Sequence, residues 1–226
     1  MTPQFDVRQA RFNMIEQQIR TWDVLDQGVL DLLTIVRRED FVPAAHRQLA
    51  FSDLEIPLRG VAGAGATGAA MWTPKLEARV LQELAPHAHD SALEIGSGSG
   101  YFAALLGHRC KNVLSVEIDT KLAEFARGNL KASSVFNVHV AEGDGALGFG
   151  NETYDIIVLS GSTPILPEAL LAQLKPGGRM FAVVGDDPVM AGRLVTRAPD
   201  GIAATTMFET CLPQLVNAAQ PNRFRF

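Results

Sequence analysis

The stretch "LEIGSGSGYF", Leu93 to Phe102, constrains the fold more than any other part of the chain. A short apolar run ends in Gly96, Ser97, Gly98, Ser99 and Gly100, and a helical pattern follows from Tyr101. Glycines there let the main chain turn sharply and let a ligand approach the backbone, with the next helix's first amides facing it. A strand that hands over to a helix in this way belongs in a parallel sheet.

The sequence on either side agrees. "PKLEARVLQELA" predicts a helix opened by Pro74. "YFAALLGHRC", "TKLAEFARGNLKAS" and "LPEALLAQL" read as further helices. "SALEIG", "NVLSVEI", "NVHVAEGD", "YDIIVLSGS" and "GRMFAVVG" read as strands. This alternation predicts an α/β fold with a mostly parallel central sheet and helices on both faces. The later "GRLVTRAP", "AATTMFETCLPQLV" and "RFRF" look extended, which predicts antiparallel strands closing one edge.

Upstream the pattern is helical. "VRQARFNMIEQQIRTW" puts Phe12, Ile15 and Ile19 at helical spacing, joined by Met14 and Trp22. Asp26 reads as the N-cap of a second helix, "QGVLDLLTIVRR", with Val29, Leu32, Leu33 and Val36 on one face. The Gly60–Ala70 run "GVAGAGATGAA" is too poor in side chains to pack and predicts a loop. We expect residues 1–75 to form an N-terminal helical extension with this loop, and residues 76–226 the main domain, in one compact unit.

Five motifs at strand ends bear on function. Glycines 96, 98 and 100 form the turn, and Glu117 ends the next strand, where a carboxylate accepts from ribose hydroxyls. "EGDG" follows the third strand, with Asp144 placed to accept from an adenine amino group and Gly143 and Gly145 permitting close approach. Ser160 and Gly161 leave room above the fourth strand, and "LKPGG" turns into the fifth. Gly98, Gly100 and Ala103 also fit a loose dinucleotide pattern, so a nicotinamide cofactor competes with S-adenosylmethionine. The ordered set of five favours S-adenosylmethionine.

Composition excludes other classes. The net charge is −5 and no basic run exceeds Arg37–Arg38, which argues against nucleic-acid or anionic-membrane partners. Cys110 and Cys211 lie far apart and form no metal or disulfide pattern, so we expect a reducing, cytoplasmic setting. His87 and His89 in "PHAHD" read as a solvated link, and no metal site is expected.

The order "LEIGSGSGY", "VEI", "EGDG", "YDIIVLSG", "LKPGG" resembles the Rossmann-like methyltransferases. "RFNMIEQQI", "VLDLLTIVRREDFVP", "LAFSDLEIPL" and "MFETCLPQL" resemble the protein-L-isoaspartate O-methyltransferase family in particular, over roughly residues 8 to 216. The resemblance implies methylation of the free carboxylate of isoaspartyl residues in damaged proteins. S-adenosylmethionine would be consumed and S-adenosylhomocysteine released, without a metal. It also implies cofactor roles for Glu94, Gly96, Ser97, Gly98, Gly100, Tyr101, Glu117 and Asp144. Ser99, Ile118, Gly143, Gly145 and Ser160 complete the expected cofactor set.

The acceptor side departs from the family, which usually carries Gly-Gln-Thr-Ile-Ser-Gln-Pro. Anchored on Pro74, this chain has Gly68-Ala69-Ala70-Met71-Trp72-Thr73-Pro74. Trp72 occupies the position of the family's active-site serine, so no catalytic residue is assigned. A carboxylate acceptor is ionised at neutral pH and needs no general base, so the missing hydroxyls would have been positioning donors. Losing one transition-state donor costs about 3 kcal/mol. Trp72 offers a single N–H, Thr73 is the nearest hydroxyl and Thr67 a second choice, while core packing competes as the role of Trp72. Glu55 lies on the acceptor side in the family but reads as an exposed turn acid. Three readings follow: isoaspartyl repair, methylation of a more apolar small molecule, or a cofactor-binding module with decayed catalysis. Monomer and dimer are both compatible with the sequence.

Overall fold

The computed structural model describes residues 6–58 and 68–221. Its centre is a seven-stranded sheet. The strands β3 (Ser91–Ile95), β4 (Asn112–Glu117), β5 (Val138–Glu142), β6 (Tyr154–Thr163), β7 (Leu174–Asp186), β8 (Val189–Ala198) and β9 (Gly201–Glu209) lie in the order β5-β4-β3-β6-β7-β8-β9. Pairings from β5 through β7 are parallel, and β7–β8 and β8–β9 are antiparallel. The chain runs outward from β3 to β4 and β5, then returns to β6 on the other side. This reversal opens a crevice at the carboxyl ends of β3 and β6, where open α/β sheets bind ligands.

The helices follow the sequence pattern. They are α1 (Val7–Met14), α2 (Gln27–Ile35), α3 (Pro74–Leu84), α4 (Tyr101–Arg109), α5 (Thr120–Ala132) and α6 (Glu168–Gln173). Asp26 caps α2, accepting from the Val29 amide at 2.9 Å. Val29, Leu32, Leu33 and Val36 are buried as the spacing requires. One continuous cluster of buried side chains joins these N-terminal helices to α3, α4, α5 and one face of the sheet.

Four details differ from the sequence reading. The first helix changes pitch, from α over Val7–Met14 to π over Ile15–Ile19 and 3-10 over Arg20–Trp22. Ile15 and Ile19 are buried, but Phe12 is 59 % exposed, because the rotation needed to bury Met14 turns Phe12 outward. The extended run after Met207 stops being a strand at Glu209, and its continuation makes only a single bridge, Gln214 to Ser162. A small unforeseen ladder of β1 (Ile56–Pro57) and β2 (Ala70–Met71) pairs the segment before the Gly60–Ala70 run with the end of that run. Most of that run, Thr67 included, and "RFRF" lie outside the described residues.

Candidate active site

The crevice at the switch point is a cleft floored by the glycine turn and walled by the segment ahead of α3 on one side and a C-terminal segment on the other. Gly96, Gly98 and Gly100 have φ of 98°, 51° and 81°, a left-handed backbone that side-chain-bearing residues resist. Gly96, Ser97, Gly98, Ser99 and Tyr101 line the cleft, while Gly100 does not. Gly100 instead caps α4, and a Cβ there would sit 3.2 Å from Ala126 of α5.

The acids at the strand ends are oriented by the backbone. Glu117 accepts from the Gly98 amide at 2.8 Å through one oxygen and from the Asp119 amide at 3.1 Å through the other. The carboxylate lines the cleft and keeps acceptor capacity for a ribose hydroxyl. Burial pushes its pKa upward against those hydrogen bonds. Asp144 accepts from the Ala146 amide at 3.0 Å and from the Asn217 side-chain amide at 2.7 Å. Ile118, Gly143, Gly145 and Ser160 also line the cleft, so it gathers every cofactor residue expected from the sequence except Gly100.

Glu94, the penultimate residue of β3, sits in a buried hydroxyl network. It accepts from Ser115 at 2.5 Å and from Ser160 at 3.1 Å, and Ser97 pairs with Ser115 at 2.6 Å. Burial pushes its pKa up to about 8; the two serine bonds oppose this, and the charges of Glu117 and Glu77 add to it.

On the acceptor side Trp72 is 5 % exposed, packed on Phe102 and Phe181 with ring centroids 5.3 and 5.9 Å away, and it lines the cleft. Trp72 is thus a packed core side chain with an edge on the cleft. Thr73 is the N-cap residue of α3, makes no side-chain capping bond and is not among the residues lining the cleft. Ala69, Ala70, Met71 and Phe102 complete an apolar wall, and Glu55 is an exposed acid at its edge whose pKa desolvation raises.

A buried pair that the motifs did not announce joins Arg38, behind this wall, to Glu77, which lines the cleft. Arg38 is 1 % exposed and donates to Glu77 at 3.0 Å, to the Ala50 carbonyl at 2.8 Å and to the Trp72 carbonyl at 2.5 Å. Burial pushes Glu77 up to about 7 even though Arg38 pulls it down. Glu77 shares the inner stripe of α3 with Val80, Leu81 and Leu84, and a charge on that apolar stripe was the available signal. The C-terminal residues Pro213, Gln214, Leu215 and Val216 also line the cleft; the first three end the family-like "MFETCLPQL", to which the sequence assigns no site role.

Among the described residues the cleft lining includes five acids and no Lys, Arg or His. Oriented carboxylates beside a glycine turn suit a neutral or cationic nucleoside with a free diol and an amino-bearing base. Such a lining offers nothing to balance a dinucleotide's pyrophosphate beyond backbone amides, so the donor set fits S-adenosylmethionine.

Comparison with known proteins is consistent with this geometry. The family model described as protein-L-isoaspartate(D-aspartate) O-methyltransferase matches residues 9–212. The protein-L-isoaspartate O-methyltransferase of Methanoculleus marisnigri is 38% identical over 179 residues, covering 79% of this chain and 78% of the relative. That of Koribacter versatilis is 33% identical over 202 residues, covering 89% and 87%. A solved protein-L-isoaspartate O-methyltransferase superposes with a TM-score of 0.74 at 22% identity, over 96% of this chain and 67% of its own. A Plasmodium falciparum structure described as a putative protein-L-isoaspartate O-methyltransferase in complex with S-adenosyl-L-homocysteine gives 0.75 at 18% identity, over 94% and 99%. The two structures share the fold.

Proposed function

The chain belongs to the protein-L-isoaspartate O-methyltransferase family and is an S-adenosylmethionine-dependent methyltransferase, and we propose that its acceptor is the free carboxylate of isoaspartyl residues in proteins and peptides. The observation that carries the reading is the family match across residues 9–212, which spans both halves of the cleft.

S-adenosylmethionine supplies an electrophilic methyl group on a sulfonium. In this reading the chain's own residues do the rest. Glu117 holds the ribose diol, Asp144 the adenine amino group, and the Gly96–Gly100 turn gives close backbone approach. Ser97, Ser115 and Ser160 fix the Glu94 carboxyl group. The Met71, Trp72 and Phe102 wall excludes water from the acceptor carboxylate, which raises its nucleophilicity without a proton transfer. Arg38 fixes that wall through the Trp72 carbonyl, replacing side-chain positioning with backbone positioning. We assign residues 1–75 to acceptor recognition and residues 76–226 to the cofactor. We place the enzyme in the cytoplasm, a reading supported by its two unpaired cysteines. No helix among the described residues is long and apolar enough to cross a membrane.

Incubation with labelled S-adenosylmethionine and an isoaspartyl peptide tests this. Label transfer well above a Glu117→Ala control is expected, and transfer equal to that control overturns the acceptor assignment.

A second reading, a more apolar small-molecule acceptor, is favoured by one observation. The described wall presents Ala69, Ala70 and Trp72 where the family pattern has Gln, Thr and Ser. A methylated product from a metabolite pool, with none from the peptide, would select it. Cofactor binding with no turnover on either acceptor would select the module with decayed catalysis.

A further inference from the structure

We propose that Asn217 is a cofactor-positioning residue that acts through Asp144, carried on a C-terminal strap, residues 212–218, that walls the adenosine end of the cleft. The proposal rests on the cleft being the S-adenosylmethionine site.

After β9 the chain turns back across the carboxyl end of β6. The Ser162 amide donates to the Pro213 carbonyl at 2.9 Å, the Leu215 amide to the Ser162 carbonyl at 2.9 Å, and the Ser162 hydroxyl to the Leu212 carbonyl at 2.8 Å. These three bonds pin the strap directly beside Ser160 and Gly161. Leu215 then rests on the glycines of the cleft floor: a Cβ at Gly161 would stand 2.8 Å from its Cδ2, and one at Gly96 would stand 3.6 Å away. The small residues ending β6 thus leave room for the strap as well as for a ligand.

Two residues on, the strap reaches Asp144. Asn217 adopts φ of 60°, a left-handed conformation that Asn tolerates better than most residues. Its amide donates to Asp144 Oδ2 at 2.7 Å, while the Ala146 amide holds Oδ1 at 3.0 Å. One donor on each oxygen fixes the plane of the carboxylate. Asp144 lines the cleft, and its remaining lone pairs give an acceptor of defined direction for an exocyclic amino group. Without Asn217 the carboxylate would keep one fixed oxygen and lose its set plane.

The strap is solvent-facing at Val216 and Asn217, so changing Asn217 leaves the core intact. Asn217→Gly removes the amide without straining the backbone, and Asn217→Ala removes it with strain.

Calorimetry with S-adenosylhomocysteine and with S-inosylhomocysteine, which carries an oxygen in place of the amino group, tests the proposal on the full chain. Asn217→Gly and Asn217→Ala should both weaken S-adenosylhomocysteine about tenfold, as expected for one charge-assisted hydrogen bond. The inosyl compound should be weakened little further. Asp144→Ala combined with Asn217→Gly should bind no worse than Asp144→Ala alone. Normal binding by both Asn217 variants overturns the proposal alone, as does equal weakening of the two nucleosides. Failure of the wild-type chain to bind S-adenosylhomocysteine overturns the cofactor assignment of the cleft, and the proposal with it.

Discussion

The guanidinium of Arg38 donates to the main-chain oxygen of Trp72 at 2.5 Å, inside the protein and behind the acceptor wall. The residue that replaces the family's serine is therefore held by its backbone from one side and by Phe102 and Phe181 from the other. Arg38 also satisfies Glu77 and the Ala50 carbonyl, so one side chain ties α3, the Trp72 segment and the connection before β1 together.

Arg38→Met removes that tie. It leaves Glu77 buried without its cation and strands two carbonyl oxygens, a loss of about 3–5 kcal/mol. Denaturant unfolding should show the midpoint falling accordingly. Adding Glu77→Leu should restore a large part of the loss, because the penalty lies mostly in the unpaired carboxylate. A double variant as unstable as the single one would show that the carbonyl contacts dominate.

Trp72→Phe keeps an aromatic ring against Phe102 and Phe181 while shortening the side chain that faces the cleft. S-adenosylhomocysteine affinity should stay within about twofold, and the KM for the acceptor should rise several-fold. Trp72→Ala should cost about 3–5 kcal/mol of stability as well, since a buried indole is lost. A change in cofactor affinity without a change in acceptor KM would move Trp72 to the cofactor half of the site.

The cofactor half was legible because its residues are local to strand ends. Four of the five motifs sit at or just beyond the carboxyl ends of parallel strands, and sheet order brings those four to one crevice, while "LKPGG" opens β7 away from it. The acceptor half was not, for physical reasons visible at particular residues. Arg38 and Glu77 are 39 positions apart and pair only once α3 docks on the N-terminal helices. A lone charge on the apolar stripe of α3 marks Glu77, but the stripe does not name its partner. Asn217 meets Asp144 across 73 positions, on a segment with no regular structure to announce it. Phe12 shows the opposite failure, because a helical repeat identifies a face but not how far round that face the protein packs.

Two glycines separate the strap from ordinary helix chemistry. Gly161→Ala places a Cβ 2.8 Å from Leu215 Cδ2 and 3.0 Å from the Pro213 carbonyl oxygen, so the strap must move. Cofactor affinity should fall at least several-fold by calorimetry. Gly128→Ala, in the exposed middle of α5, meets nothing within 4 Å. It should raise stability by about 0.5–1 kcal/mol through helix propensity and leave cofactor affinity unchanged. Equal cofactor affinity in the two variants would show that the strap does not shape the site.

Stability of the ligand-free protein should fall as pH rises from 5 to 8.5. Burial raises the folded-state pKa of Glu94 to about 8, above the ordinary value of 4.5, and Glu117 and Glu55 shift in the same direction. Between the unfolded and folded values the native state binds more protons than the unfolded chain, so each rise in pH favours unfolding. Each unit of pKa difference is worth about 1.4 kcal/mol at full ionisation. The loss should therefore be complete only above pH 8, where the Glu94 carboxyl group must ionise while buried. Asp155 acts oppositely in a separate window. Burial would raise it, but Lys175 and Ser91 outweigh burial and hold it at about 2, so its contribution disappears only as pH falls from about 4 towards 2. Thermal melts across this range should give a Tm that declines from pH 6 to 8.5, and Glu94→Gln should flatten that decline. A Tm that climbs over the same interval, or a Gln variant with the wild-type slope, would mean that Glu94 is already ionised in the folded protein at neutral pH.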